Sequence, residues 1–140
     1  MSGRLKPTGA PMATFEVWDI VKVPFPYTDR PVRQRRPVLV IAADEIAAAH
    51  GLMWLVMITS AENRGWPDDV RVSDLPTAGL PAPSIVRAAK IATVDARDAQ
   101  RLGTLPVADR KAVESRLRGI LRVALDESRP TQSFRRKPDL

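Results

Sequence analysis

Two continuous apolar runs dominate the hydrophobic pattern of the chain. Residues 37–42 read Pro-Val-Leu-Val-Ile-Ala, and residues 53–58 read Met-Trp-Leu-Val-Met-Ile. Both runs are rich in β-branched residues and lack polar alternation, which is typical of central strands covered on both faces. These two runs therefore predict the strands that carry the core.

Shorter elements are predicted on either side of these strands. Residues 17–23 alternate between two faces and predict a strand that ends at Pro24 and Pro26. Residues 44–51 predict one short helix that begins near Asp44 and is closed by Gly51. Residues 69–72, 84–88 and 90–94 predict three further strands, and a turn-rich segment at 75–83 precedes the second of them.

The last organised segment is predicted to be helical. Residues 106–125 place apolar side chains at helical spacing, and Pro106 suits the first turn of a helix. Long helices are not expected elsewhere, because 13 prolines imply short elements and frequent turns. The pattern as a whole predicts a mainly β (α+β) fold, a compact antiparallel barrel with short helices and a C-terminal helix.

Length and composition favour a single domain. The chain has 140 residues and 44% hydrophobic residues, enough for one compact core. We expect the domain at 15–125, with flexible tails at 1–14 and 126–140, because both ends are polar and lack periodicity. No segment approaches the roughly 18 apolar residues of a membrane span, and the start lacks a secretory apolar stretch. We therefore expect a cytoplasmic protein with no membrane contact.

Several kinds of chemistry are poorly supported by the residue types present. There are no cysteines, which excludes disulfides, thiolate metal sites and a cysteine nucleophile. His50 is the only histidine, and it suits an exposed helix end better than a catalytic triad. The acidic pairs Asp68-Asp69 and Asp44-Glu45 suit turns and caps better than magnesium. We therefore expect neither a metal nor any other cofactor.

The charge distribution points to an RNA partner. The formal net charge is +6, and arginines crowd the loop before residue 37. Clustered cations favour polyanions. RNA cleavage needs cations and hydroxyls more than metals, because the ribose 2′-hydroxyl is the nucleophile and the protein mainly stabilises charge on the phosphate oxygens.

Arg36, Thr59 and Ser60 have the residue types for this chemistry. Arg36 precedes Pro37, which favours an extended backbone and holds the guanidinium at a rigid strand entrance. Thr59 and Ser60 place two short hydroxyls at the end of the other central strand. From the residues alone, Arg36 fits equally a gatekeeper beside an aggregation-prone strand, and Thr59-Ser60 fits equally a plain strand end.

In order and spacing, several segments resemble the PemK/MazF family of toxins from type II toxin-antitoxin systems. The resemblance covers about residues 15–124. The matching segments are Asp19-Ile20-Val21, Val23-Pro24-Phe25, Arg36-Pro37-Val38-Leu39-Val40-Ile41, Met57-Ile58-Thr59-Ser60, Gly79-Leu80-Pro81, Ser84-Ile85-Val86, Lys90-Ile91-Ala92-Thr93-Val94-Asp95 and Leu102-Gly103-Thr104-Leu105-Pro106.

This resemblance implies a fold, an activity and partners. The fold would be an SH3-like antiparallel β-barrel, and the protein would be a homodimer. The activity would be metal-independent, sequence-specific cleavage of single-stranded mRNA, and a cognate antitoxin would inhibit it. By position, Arg36 matches the family's catalytic arginine and Thr59 its catalytic threonine, with Ser60 as an adjacent hydroxyl.

The sequence also departs from the family pattern. Trp18 replaces the usual glycine before the first-strand aspartate, and the glutamate that many relatives carry before the Arg-Pro pair is missing. The general base could then be Asp29, Arg36 itself or no side chain. Trp66 fits either base stacking or packing in the core or a dimer. The candidate RNA-binding residues are Tyr27, Asp29, Arg33, Arg35 and Arg64.

Two other functions fit the same residues. One is a non-catalytic RNA-binding module, in which Arg36 binds phosphate without cleavage. The other is a toxin that acts by protein contact, as a related barrel family does when it poisons DNA gyrase.

Overall fold

A computed structural model describes residues 14–26, 33–63, 65–126 and 128. The tails predicted at 1–14 and 126–140 lie almost wholly outside these residues. The elements in chain order are β1 (Asp19–Pro26), β2 (Arg33–Ala42), α1 (Asp44–His50), β3 (Leu52–Ser60), β4 (Asp69–Arg71), α2 (Leu75–Ala78), β5 (Ser84–Asp95), a 3₁₀ turn (Ala96–Asp98), β6 (Gln100–Thr104) and α3 (Val107–Ala124).

The six strands form one sheet in the order β4-β5-β3-β2-β1-β6, and every neighbouring pair is antiparallel. The predicted mainly β fold with short helices and a C-terminal helix is therefore confirmed. The edge strands β4 and β6 are not paired with each other, so the barrel stays open along one side. Helix α2 packs against β6 in this gap.

The approach of α2 to β6 depends on two glycines. Gly79 closes α2 with a φ of 73°, and a Cβ added to it would lie 2.2 Å from the carbonyl oxygen of Leu102. A Cβ on Gly103 would lie 2.5 Å from the carbonyl oxygen of Thr77. Because both obstacles are backbone atoms, any side chain at either position would push α2 away from the sheet.

The β1 strand extends further than the proline pattern predicts. Pro24 and Pro26 lie within β1 and pair with Arg35 and Arg33 of β2, so the prediction that they end the strand is wrong. Strand β6 pairs only with residues 19–22 of β1. Beyond that point β1 is an edge strand, where the missing proline N–H groups are tolerated.

The region after β4 also differs from the expected pattern. The strands predicted at 84–88 and 90–94 are one strand, β5, whose register against β3 shifts between Val56 and Met57. The shift leaves extra residues on β5, as in a bulge, and this irregularity obscures the periodicity. Helix α2 lies in a segment predicted to be turns, and β6 is not predicted at all.

The core has two parts, one on each face of the sheet. A first cluster packs Ile20, Leu39 and Ile58 against α2 and α3, and a second cluster contains Val21, Val38 and Leu55. Neighbouring residues of β2 therefore enter different clusters, which confirms that the central strands are covered on both faces. In the part of the chain that the structure describes, no helix is long and apolar enough to span a membrane.

Candidate nucleic-acid site

Arg36 and Thr59 lie on the same face of the sheet in adjacent strands. In the β2–β3 ladder Val40 pairs with Leu55 and Val38 with Met57. Continuing this register by two residues places Arg36 opposite Thr59. Since residues two apart in a strand share a face, both side chains extend the face of the second core cluster beyond its apolar end. Opposite residues of antiparallel strands have Cβ atoms about 4.5–5.5 Å apart.

The Thr59 side chain is oriented by the loop that follows β3. Its Oγ1 accepts a hydrogen bond of 2.6 Å from the Nδ2 of Asn63. Because the hydroxyl oxygen accepts this bond, its own proton can be donated elsewhere. Thr59 is almost buried, at 9% exposure, so the hydroxyl is held in one place and reaches solvent at only one side.

Ser60 is not brought to the same face. It follows Thr59 directly in β3, so its side chain points to the opposite side of the sheet. Its Oγ accepts a hydrogen bond of 3.1 Å from the backbone N–H of Glu62 and thereby stabilises the turn after β3.

Arg36 is half-buried, and its Nε atom is shielded from solvent. It pairs with Val23 of β1 on one side, and on the other side it lies two residues beyond the last β2–β3 pair, Val38–Met57. Pro37 fixes the backbone directly after it. The guanidinium therefore stands at a rigid position at the edge of the apolar cluster.

The other predicted RNA-binding residues are described only in part. Arg35 is exposed, and its Nη2 donates a bond of 3.3 Å to the carbonyl oxygen of Asp98 on the far side of β1. Arg33 begins β2 opposite Pro26, and only its backbone is described. Tyr27, Asp29 and Arg64 lie outside the described residues.

A second charged group lies on the same face, one strand beyond Thr59. Arg87 of β5 pairs with Met57 on one side and Asp69 on the other. Its Nε and Nη2 donate to the two carboxylate oxygens of Asp69, at 3.1 and 2.9 Å. The Arg87 guanidinium also lies 4.1 Å from the centroid of the Trp66 ring.

Asp69 is held in its ionised form by this arrangement. Burial raises the pKa of the carboxyl, but the hydrogen bonds from Arg87 and from the backbone N–H of Trp66, with the positive charge of Arg87, outweigh it. The pKa of Asp69 therefore lies below its usual value. This ion pair gives Asp69 a role other than a magnesium ligand.

Sequence reasoning did not identify Asn63 or Arg87 as site residues. A signal existed for Arg87, because it is the one charged residue in the otherwise apolar segment 85–89. Asn63 gave a weaker signal, an amide in the loop four residues after a strand-end hydroxyl. Its hydrogen bond to Thr59 depends on the turn geometry of residues 60–63, which the sequence alone does not determine.

The arrangement combines cations with an oriented hydroxyl on one face of the sheet. Arg36 offers a planar set of N–H donors suited to phosphate, and Thr59 offers one O–H donor beside it. Both groups come from rigid strands, which reduces the reorganisation needed when an anion binds.

A family model described as a PemK-like, MazF-like toxin of type II toxin-antitoxin systems matches residues 16–121. No curated protein matches the chain significantly. Among solved structures, MazF from Deinococcus radiodurans is 23% identical, covers 78% of this chain and 97% of its own, and superposes with a TM-score of 0.63.

Two mycobacterial structures have the same fold. The Mycobacterium tuberculosis toxin MazF-mt6 is 23% identical, covers 74% of this chain and 95% of its own, and has a TM-score of 0.57. An endoribonuclease in complex with its cognate antitoxin, from a mycobacterial species, is 17% identical and has a TM-score of 0.60. The match covers 75% of this chain and 92% of that endoribonuclease. At these identities the similarity establishes the fold alone.

Proposed function

The chain belongs to the PemK/MazF-like toxin family of type II toxin-antitoxin systems, and on that premise we propose that it is a metal-independent, sequence-specific endoribonuclease that cleaves single-stranded mRNA. The observation that carries this proposal is that Arg36 and Thr59 lie on one sheet face of adjacent strands, each two residues beyond the Val38–Met57 pair at which the β2–β3 ladder ends. The two side chains supply a phosphate-binding cation and a hydroxyl donor at one point, which is what transesterification by the ribose 2′-hydroxyl requires.

In this reaction the 2′-oxygen attacks phosphorus, the 5′-oxygen leaves, and negative charge grows on the non-bridging phosphate oxygens. Arg36 donates hydrogen bonds to these oxygens and stabilises the charge as it develops. Thr59 donates its hydroxyl proton to the same phosphate, since Asn63 occupies a lone pair of its oxygen and orients it. Ser60 takes no part, because its side chain points to the other face.

The proton acceptor for the 2′-hydroxyl is the open part of the mechanism. No carboxylate of the described residues shares the sheet face of Arg36 without an arginine partner: Asp69 is paired with Arg87. This leaves Asp29, Arg36 or solvent. The proposal of a metal-independent reaction rests on the residue types of the sequence, which has one histidine and no cysteine.

RNA binding is supported by the charge of the chain. The formal net charge of +6 favours a polyanion, and Arg33, Arg35 and Arg64 flank the reaction site in sequence. With Tyr27 and Asp29, they form the proposed RNA-binding set. We expect them to position the strand and to shape its sequence preference.

The proposed partners follow from the family and from the solved relatives. One of those structures is an endoribonuclease bound to its cognate antitoxin, and we propose that an antitoxin inhibits this chain in the same way. We also propose a homodimer, since Leu121 and Val123 of α3 and Leu125 directly after it are exposed. Light scattering at micromolar concentration should give twice the chain mass, and a monomer would contradict the dimer.

The decisive experiment compares variants of the full chain on mixed-sequence RNA in the presence of a chelator. We expect the wild type to cleave, and Arg36→Ala and Thr59→Val to lower kcat/KM by about 10²- to 10³-fold, the usual effect of losing one oxyanion donor. Arg118→Ala is the matched control, because Arg118 is an exposed arginine on α3, paired only with Glu114 of the same helix in the described contacts.

Three results would reject the proposal. They are intact RNA with the wild type, full cleavage by both site variants, and cleavage that stops when the metal is chelated. RNA binding that weakens in Arg36→Ala without any cleavage by the wild type would indicate a non-catalytic binding module instead. Toxicity in cells that survives both substitutions would indicate a toxin acting by protein contact.

A further inference from the structure

Trp66 is exposed and yet fixed in position. It lies in the loop between β3 and β4 with 41% of its surface exposed, and it belongs to neither core cluster. Its backbone N–H donates to the Asp69 carboxylate at 2.8 Å, and its carbonyl accepts from the Asp69 N–H at 3.1 Å. The 41% that stays exposed is apolar surface that the fold does not cover, so a ligand that covered it would add hydrophobic stabilisation.

The Arg87 guanidinium determines which part of the ring is open. It covers one face of the indole at 4.1 Å, so the exposed area lies on the opposite face and along the ring edges. Arg87 cannot easily swing away, because it is bonded to Asp69 through two atoms and the two side chains are only 9% and 10% exposed. The indole therefore presents one flat face to solvent on a rigid support.

This open face lies close to the proposed reaction site. Thr59 pairs with Ile85, and Met57 pairs with Arg87, so Arg87 is the diagonal neighbour of Thr59 on the same sheet face. Such diagonal neighbours are about 7–8 Å apart, which long side chains bridge. A nucleotide next to the cleaved bond would therefore reach the indole that Arg87 supports.

We propose that Trp66, supported from behind by Arg87 and Asp69, is a stacking platform for a nucleobase that flanks the cleaved phosphodiester. This inference rests on the proposed function, since it takes single-stranded RNA as the ligand. Stacking on an aromatic face tolerates any base, and a guanidinium against the other face adds cation–π attraction. Trp66 is thus a substrate-binding residue, and Arg87 and Asp69 are positioning residues that act through it.

Tryptophan fluorescence tests the contact directly, because the proposed stacking residue is itself the fluorophore. Short single-stranded DNA of mixed sequence serves as the probe, because it presents bases but lacks the 2′-hydroxyl that cleavage needs. We expect it to quench the fluorescence of the wild type and of Trp54→Phe, and to leave Trp66→Phe unquenched although that variant still binds. Quenching that persists in Trp66→Phe, or that is absent from the wild type while binding occurs, would overturn the proposal.

The kinetics of RNA cleavage supply the second test. Trp66→Ala should raise KM by about 5- to 150-fold, the usual effect of losing one stacked base, with kcat little changed. Trp66→Phe should recover most of the loss, which a merely structural role would not require. The matched control is Trp54→Ala, since Trp54 is 43% exposed but lies on the opposite face of β3 from Thr59.

The outcomes separate this inference from the proposed function. A wild type that cleaves no RNA rejects the endoribonuclease, while the DNA quenching still decides the stacking. A wild type that cleaves RNA while Trp66→Ala keeps its KM rejects the stacking alone. If Trp66→Ala instead converts a dimer to a monomer in light scattering and its KM returns to that of the wild type at high protein concentration, the ring is a protein interface and the proposal is wrong.

Discussion

At position 18 we expect a glycine variant to be more stable than an alanine variant, which is the reverse of the usual order. The φ of Trp18 is 81°, in the left-handed region that costs a residue with a side chain about 1–2 kcal/mol. The backbone cannot relax, because its N–H donates to Val40 at 2.9 Å and its carbonyl accepts from the Leu105 N–H at 2.8 Å. The half-buried ring packs against the first core cluster, with Arg110 at 5.9 Å.

The magnitudes of these effects decide the order of the variants. Losing a buried tryptophan ring typically costs about 3–5 kcal/mol, so a half-buried ring should cost roughly 2–3 kcal/mol in either variant. Alanine retains the left-handed strain, whereas glycine removes about 1–2 kcal/mol of it. Glycine also increases the conformational entropy of the unfolded chain, which lowers the stability of the folded protein by about 0.5–1 kcal/mol. Trp18→Gly should therefore be more stable than Trp18→Ala by roughly 0.8 kcal/mol, the difference between the middles of these two ranges.

Urea denaturation of both variants measures this difference, provided that the m-values agree. Val17 supplies the control, because it is adjacent and does not have a positive φ. There the ordinary order should hold, with Val17→Ala more stable than Val17→Gly. A Trp18→Ala variant as stable as Trp18→Gly would refute the strain argument, and equal reversal at Val17 would show that the effect is not specific to φ.

Four other substitutions test the fold and the site. Gly103→Ala should lower the free energy of unfolding in urea by roughly 3 kcal/mol, because the new Cβ would meet the backbone carbonyl of Ala78. Gly119→Ala is the control, because nothing lies within 4 Å of its Cβ, and it should raise the free energy of unfolding by about 1 kcal/mol. Equal effects of the two substitutions would contradict this. Asp69 has a lowered pKa, so its stabilisation is present above about pH 4 and is lost as the pH falls through the folded-state pKa. Asp69→Asn should remove this part of the acid dependence of the thermal midpoint, and an unchanged profile would contradict it. Asn63→Ala should lower kcat by about 2- to 12-fold, as expected for one neutral hydrogen bond, with KM nearly constant; an unchanged kcat, in an enzyme that needs Thr59, would show that the bond is dispensable.

Much of the fold was predictable because the signals were local. The apolar runs at 37–42 and 53–58 lie in β2 and β3, and Gly51 closes α1 with a φ of 71° as its position predicts. Helix α3 follows Pro106, as the 3.6-residue periodicity indicates. Elements that depend on a distant partner were missed. Strand β6 contains only five residues and is defined by its pairing with β1, and α2 is a four-residue helix that fills the gap beside it.

The candidate site divides in the same way. The sequence by itself determined which residues could bind phosphate or donate a hydroxyl proton. An arginine before Pro37 and a threonine at the end of a predicted strand can both be identified from the order of the residues alone. Only the tertiary structure decided that Thr59 shares the sheet face of Arg36 while Ser60 does not, since this depends on the β2–β3 register, and a slip of one residue would exchange the two hydroxyls. The support of Trp66 by Arg87 and Asp69 likewise joins residues up to 21 positions apart across two strands. Side-chain chemistry is thus a property of single positions, whereas a shared sheet face is a property of pairing.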